Sequence, residues 1–156
     1  MKAASSNEIK NALKTATPAE LMEICLRLAR HKKENKELLT YLLFEADDAV
    51  AYIKNVKKDM EDGFTGINTS NLYFAKKSLR KVLRNAGKYI KFTGNKEAEA
   101  EILIHFCYTL KHSNIPFQKS AALVNLYNGQ LKKAKAAIAT LHEDLQYDYL
   151  SAIESL

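Results

Sequence analysis

The helical character of the chain is clearest between residues 72 and 92, which read LYFAKKSLRKVLRNAGKYIKF. An α-helix advances 100° per residue, so residues three or four apart share a face. On this projection the apolar side chains fall in one arc of about 100°. They are Leu72, Ala75, Leu79, Val82, Leu83, Ala86 and Ile90. The stretch therefore predicts an amphipathic helix with one face packed in a core.

The same helix gathers its positive charges in a second arc of about 140°, away from the apolar one. The cations are Lys76, Lys77, Arg80, Lys81, Arg84, Lys88 and Lys91, and Tyr73 lies in the middle of their arc. We call these eight residues the basic face. Like charges four residues apart destabilise a helix by about 0.2–0.5 kcal/mol per pair. The basic face therefore opposes its own helix, and it indicates a source of negative charge nearby.

The charge excess of the whole chain comes from this region. The net charge of the 156 residues is +6. Residues 63–96 carry 8 Lys or Arg and no Asp or Glu, whereas residues 1–62 carry 11 of each and residues 97–156 carry 5 and 7. The positive excess therefore lies in residues 63–96, and a source of negative charge is expected near them.

Two sources of that negative charge remain open. One is the chain itself, through the acidic residues Glu45, Asp47, Asp48, Asp59, Glu61, Asp62, Glu97, Glu99 and Glu101. The other is a partner, either an acidic protein surface or nucleic-acid phosphate, with a membrane as the weaker alternative. The function predicted first is a non-enzymatic binding or scaffold module that uses the basic face against an acidic protein. The alternative is a nucleic-acid-binding domain that uses the same face on phosphates, and the third is an enzyme of unrecognised type.

Turn-forming residues are scarce, with 5 Gly and 2 Pro in the whole chain. A β-sandwich or an α/β fold of this length would need many more of them. The predicted fold class is therefore all-α, with seven or eight helices in antiparallel hairpins that form a short HEAT-like solenoid or an irregular bundle. The length is that of one ordinary domain, so residues 1–156 are predicted to form a single helical domain.

Local signals predict where the helices begin and end. Thr17 and Glu20 have the spacing of a capping box at the start of the second helix. Breaks are predicted at residues 63–71, 94–95 and 128–129, where Gly and Asn occur together. Thr69 or Ser70 is expected to cap the helix after the first break.

A faint internal repeat relates residues 35–44 to residues 99–108. Each stretch starts polar and then carries apolar residues, at positions 38, 39, 42 and 43 or at positions 102, 103, 106 and 107. The repeat predicts halves at about 17–62 and 70–127, followed by a C-terminal helix at about 130–155. The third helix, apolar nearly all round, is expected to lie in the core.

Cys25 and Cys107 each lie within an apolar helical pattern, which predicts buried, reduced thiols. The first residues lack the apolar segment of a signal peptide, and the apolar stretches at 41–44 and 102–108 are too short to span a membrane. We therefore expect a cytoplasmic protein with no transmembrane segment. The oligomeric state is left open.

No motif predicts a catalytic residue, a metal ion or a cofactor. Glu101 and His105 are four residues apart and predict an exposed ion pair along one helix, because a di-metal bundle site would require Glu-x-x-His. Residues 63–66 read GFTG, a GxxG pattern that clamps nucleic-acid backbones only in a module that contains strands. We interpret them as an inter-helix turn, with Phe64 and Ile67 tucked under it.

Overall fold

The computed structural model describes residues 1–156, and all of its regular elements are helical. The eight α-helices are α1 (Ser6–Thr15), α2 (Pro18–His31), α3 (Lys33–Phe44), α4 (Ala49–Phe64), α5 (Leu72–Thr93), α6 (Lys96–His112), α7 (Ala121–Ile138) and α8 (Glu143–Glu154). A short 3-10 helix, Phe117–Lys119, precedes α7. The predicted all-α class is confirmed. None of the helices combines the length and the apolar character that a membrane crossing requires.

The chain divides into two compact units, Met1–Glu45 and Ala46–Leu156. The first unit holds α1 to α3, and the second holds α4 to α8. The prediction that residues 1–156 form a single domain depends on whether the whole chain folds cooperatively, so it stays a prediction. The repeat with halves at about 17–62 and 70–127 also stays a prediction, and its first half takes helices from both units.

The first unit has two helices with side-chain caps, α1 and α2, and one without, α3. Ser5 and Glu8 form a capping box at the start of α1, and Thr17 and Glu20 form the predicted one at the start of α2. A single residue, Lys32, separates α2 from α3, and the two helices pack side by side as a hairpin. No residue of α1, α2 or α3 is buried.

Two predictions about this unit are wrong. The third helix was expected in the core, but Leu42 is 57% exposed and Phe44 is 80% exposed. Cys25 was expected to be buried and is exposed. A helix that is apolar all round is buried only where neighbours cover several of its sides, and in this unit α3 packs chiefly against α2.

The second unit has a core that is centred on α6. Its neighbours are α4, α5, α7 and α8. Fully buried side chains on α6 include Ile102, Phe106, Cys107 and Leu110. The apolar arc of α5 faces inward as predicted, because Ala75, Leu79, Val82 and Ala86 are all buried.

One contact between α4 and α5 depends on a glycine. A Cβ atom on Gly63 would lie 2.7 Å from Cγ2 of Val82, a distance too short for two carbon atoms. Because Gly63 has no side chain, α4 continues to Phe64 and packs against α5 without a clash. The predicted inter-helix turn at residues 63–66 begins later than expected, at Thr65, because Gly63 and Phe64 still belong to α4. Phe64 packs inward as predicted, with its ring centroid 5.6 Å from that of Phe106.

Two further boundary predictions are wrong. The cap of α5 is neither Thr69 nor Ser70 but Asn71, whose side chain accepts hydrogen bonds from the next backbone N–H groups. The break at 128–129 is absent, because α7 continues through Gly129 to Ile138 and the C-terminal helix is the separate α8. A helical Gly costs about 1 kcal/mol, and burial of Leu123, Ala134 and Ile138 on one side of α7 outweighs that cost.

Candidate functional site: the basic face of α5

Helix α5 is long, and a capping residue lies at each of its ends. Asn71 caps the N-terminus, and Gly94 ends the helix in a left-handed conformation, with a φ of 58°. Between these ends the helix has 22 residues. At 1.5 Å per residue the basic face, from Tyr73 to Lys91, extends for about 27 Å.

The structure places the basic face at the surface, on the side of α5 away from its buried arc. Five of its cations are exposed, namely Lys77, Arg80, Lys81, Arg84 and Lys91. Lys76 and Lys88 are half-buried, and Tyr73 is 67% exposed. All eight predicted residues therefore lie on one helix face, and most of them reach solvent.

Six cations of the basic face form no ion pair with the chain's own carboxylates. They are Lys76, Lys77, Arg80, Lys81, Arg84 and Lys91. The contact of Lys77 is with an aromatic ring, since its ammonium lies 6.0 Å from the centroid of Tyr73. Lys88 lies 4.9 Å from the ring centroid of Tyr89. The repulsion among these six cations is therefore not cancelled by acidic side chains in direct contact with them.

Several acidic residues that could have covered the basic face are bound elsewhere. Glu61 lies 2.8 Å from His105, and Glu101 lies 2.6 Å from Lys57. Further along α6, Glu99 pairs with Lys96 at 2.7 Å, and Glu97 accepts a hydrogen bond of 3.0 Å from the Tyr149 hydroxyl.

The predicted ion pair between Glu101 and His105 along α6 is wrong. Lys57 and Glu61 on α4 are also four residues apart, and α4 packs against α6. Glu101 and His105 therefore each meet a complementary group on α4. Cross-helix partners of this kind cannot be read from the spacing on one helix.

The pKa values on this side of α6 are shifted by burial. Burial and the nearby Lys57 ammonium lower the pKa of His105, and they outweigh the hydrogen bond to Glu61. Burial and the hydrogen bond to Glu97 raise the pKa of the Tyr149 hydroxyl. His105 is therefore favoured in its neutral form, and Tyr149 in its protonated form.

A cleft of about 490 Å³ lies beside these paired groups, between α4, α6 and α8. Lys57, Glu101, His105 and Tyr149 all line it. Each of the four already has a partner on another helix, as described above. The cleft therefore offers no unpaired nucleophile or base among these groups, and the enzyme prediction gains no support from it.

A second groove, of about 400 Å³, runs between α4 and α5 and adjoins the basic face. Val56, Met60 and Val82 are among its apolar lining. Asp59 on the α4 side and Lys81 on the α5 side line it without forming an ion pair. Lys81 thus belongs both to this groove and to the basic face.

One exposed aromatic residue beside the basic face was missed by the sequence reasoning. Phe74 is 53% exposed, and its ring meets that of Tyr73 edge-on, with 5.5 Å between centroids. It falls between the apolar and cationic arcs, so neither pattern selected it. Its position next to Tyr73 in the sequence was the available signal.

The structure contains no cluster of three or more His, Cys, Asp or Glu side chains that could hold a metal ion. The basic face is predicted to bind an acidic protein or nucleic acid, and both of these partners lie outside the chain. Comparison with protein-family models, with curated protein sequences and with solved structures finds no match to this chain.

Proposed function

We propose that this protein is a non-enzymatic binding or scaffold module, and that its basic face docks on an acidic surface of a partner protein. The observation that carries the proposal is the absence of ion pairs at Lys76, Lys77, Arg80, Lys81, Arg84 and Lys91. Carboxylates of a partner would supply the negative charge that the chain's own acids do not.

The geometry suits an extended acidic surface or helix. The basic face is about 27 Å long and straight, because it follows one helix. Arg80 and Arg84 are one turn apart near its centre, and each guanidinium can bind a carboxylate through two parallel hydrogen bonds. Docking would also relieve the repulsion between neighbouring cations, so binding is expected to stabilise α5.

The experiment is a titration of a fluorescently labelled polyglutamate peptide, followed by anisotropy at low and at physiological salt. The test variant is Arg80→Glu with Arg84→Glu. The matched control is Lys132→Glu with Lys133→Glu, which makes the same charge change at exposed positions of α7. We expect the test variant to lose about tenfold or more in affinity and the control to change by less than about threefold.

Equal losses in the two double variants would contradict a specific role of the basic face, because net charge alone would then govern binding. A rise in thermal stability of Arg80→Glu with Arg84→Glu, with no change in affinity, would also contradict it. The face would in that case be a solvated surface whose repulsion the variant relieves.

The second candidate is a nucleic-acid-binding domain, and the exposed Tyr73–Phe74 pair favours it. Bases of a single strand stack on exposed aromatic side chains, while cations alongside contact the phosphates. Competition between the labelled peptide and a single-stranded oligonucleotide distinguishes the candidates. For nucleic acid, the logarithm of affinity should fall linearly with the logarithm of salt concentration, with a slope of about −3 to −5. No oligonucleotide binding at low salt would exclude this candidate.

A further inference from the structure

The hairpin of α2 and α3 exposes apolar side chains along both of its helices. They are Met22, Ile24, Leu26, Leu28, Leu38, Leu42, Leu43 and Phe44. Ile24 and Leu28 are four residues apart, as are Leu38 and Leu42, so each helix carries a pair of adjacent apolar side chains. The unit Met1–Glu45 contains no buried residue to form a core of its own. Chains this short rarely hold a fold without further support.

The hairpin is large enough for a small protein interface. Helices α2 and α3 contribute 14 and 12 residues. A standard interface takes about 20–30 residues from each partner. Only one side of each helix can face a partner, so the contact would be smaller than standard, as in a weak, reversible dimer.

Charge along the hairpin is arranged in two opposite halves. Residues 27–36 at the turn carry 5 Lys or Arg and 1 Glu. Residues 17–26 carry 2 Glu and no Lys or Arg, and residues 37–45 carry the same. Both segments belong to the ends of α2 and α3 that are farther from the turn at Lys32, together called the open end. The turn end thus has a net charge of +4 and the open end of −4.

We propose that the α2–α3 hairpin is a self-association surface, on which a second copy of this chain docks hairpin to hairpin in antiparallel orientation. In that arrangement each basic turn end faces the acidic open end of the other copy, and apolar side chains from four helices meet between them. A two-fold symmetric interface must complement itself, and opposite charges at the two ends of one surface do so when the two copies lie antiparallel. The proposal does not depend on the basic face of α5.

The experiment is sedimentation equilibrium of the full chain over a wide range of concentrations. The wild-type chain is expected to show a reversible monomer–dimer equilibrium. Leu28→Glu and Leu42→Glu should each raise the dimer dissociation constant by about tenfold or more, because a charge would enter the apolar contact. Leu150→Glu on α8, another exposed leucine, is the matched control and should leave the constant within about threefold. Circular dichroism of each variant shows whether the helices are retained.

Charge reversal tests the antiparallel orientation. Arg27→Glu with Arg30→Glu removes the positive excess of the turn end, so it should weaken the antiparallel dimer and reduce its sensitivity to salt. In a parallel dimer, where like ends meet, the same change would strengthen association and would overturn the proposed orientation.

Two other outcomes would overturn the proposal. One is a monomeric mass at every concentration, including the case in which amides of α2 and α3 are protected from hydrogen exchange within the monomer. The other is a dimer that Leu28→Glu and Leu42→Glu leave intact, because association would then use another surface. Arg80→Glu with Arg84→Glu should leave the dimer unchanged, so a failure of this proposal is distinguishable from a failure of the proposed function.

Discussion

Two stretches of the chain share one sequence pattern and have opposite environments. Residues 35–44 read NKELLTYLLF and residues 99–108 read EAEILIHFCY. Both stretches are helical, on α3 and on α6. Phe106 is completely buried, whereas Leu42 at the equivalent position is 57% exposed. The same periodicity therefore indicates which side chains can be buried, and the neighbouring helices determine whether they are.

The number of neighbours explains the difference. Helix α6 is surrounded in its unit by α4, α5, α7 and α8, which together bury Ile102, Phe106 and Leu110 completely. Helix α3 packs chiefly against α2 in its own unit, so its other sides stay open. An apolar helix with few neighbours keeps its side chains exposed, whereas one with neighbours on several sides forms a core.

Thiol reactivity should show the largest contrast between the two units. Cys25 lies exposed on α2, whereas burial raises the pKa of the Cys107 thiol to about 12. In dilute protein, a disulfide reagent should modify Cys107 at least about 1,000-fold more slowly than Cys25, since Cys107 reacts only after the core opens. Absorbance of the released thiolate measures both rates.

The variant Cys25→Ser assigns the two phases of this reaction. It should remove the fast phase and leave the slow one, and in denaturant both thiols of the wild-type chain should react alike. A fast reaction of Cys107 in the folded protein would contradict the description of α6 as a closed core.

Truncation of equivalent leucines should give the next largest contrast. Leu103 on α6 is buried, and Leu39 at the matching position of α3 is partly exposed. Leu103→Ala should lower the free energy of unfolding by about 2–5 kcal/mol. Leu39→Ala should cost less than half as much, because less of its surface leaves water on folding. Urea denaturation followed by circular dichroism measures both, and equal losses would refute the contrast in packing.

Replacement of two helical glycines by alanine should change the stability less than truncation of Leu103, and the two changes should have opposite signs. In Gly63→Ala the new Cβ would press on Val82, so the variant should lose about 1–3 kcal/mol of stability. Gly129 on α7 has open space around it, so Gly129→Ala should gain about 0.5–1 kcal/mol from better helix propensity. The same denaturation experiment compares them, and a neutral Gly63→Ala would mean that α4 and α5 are not tightly packed.

Signals contained within one helix predicted the structure well. The capping box of Thr17 and Glu20, the helix end at Gly94 and the two faces of α5 all depend on neighbours within a few residues. Two wrong predictions arose where a distant segment competed with the local signal. Packing against α6 keeps α7 helical through Gly129. Glu61 on α4, rather than Glu101, is the partner of His105.

The sequence by itself determined that the chain is helical and that seven cations and Tyr73 share one side of α5, because a fixed 100° step between residues sorts side chains without reference to anything else. Only the tertiary structure decided which apolar helix became the core and whether acidic residues reached the basic face. Those outcomes depend on contacts between segments far apart in sequence. Glu61 and Glu101 bind His105 and Lys57 across the α4–α6 interface, and six cations of the basic face are left without an ion pair in the chain.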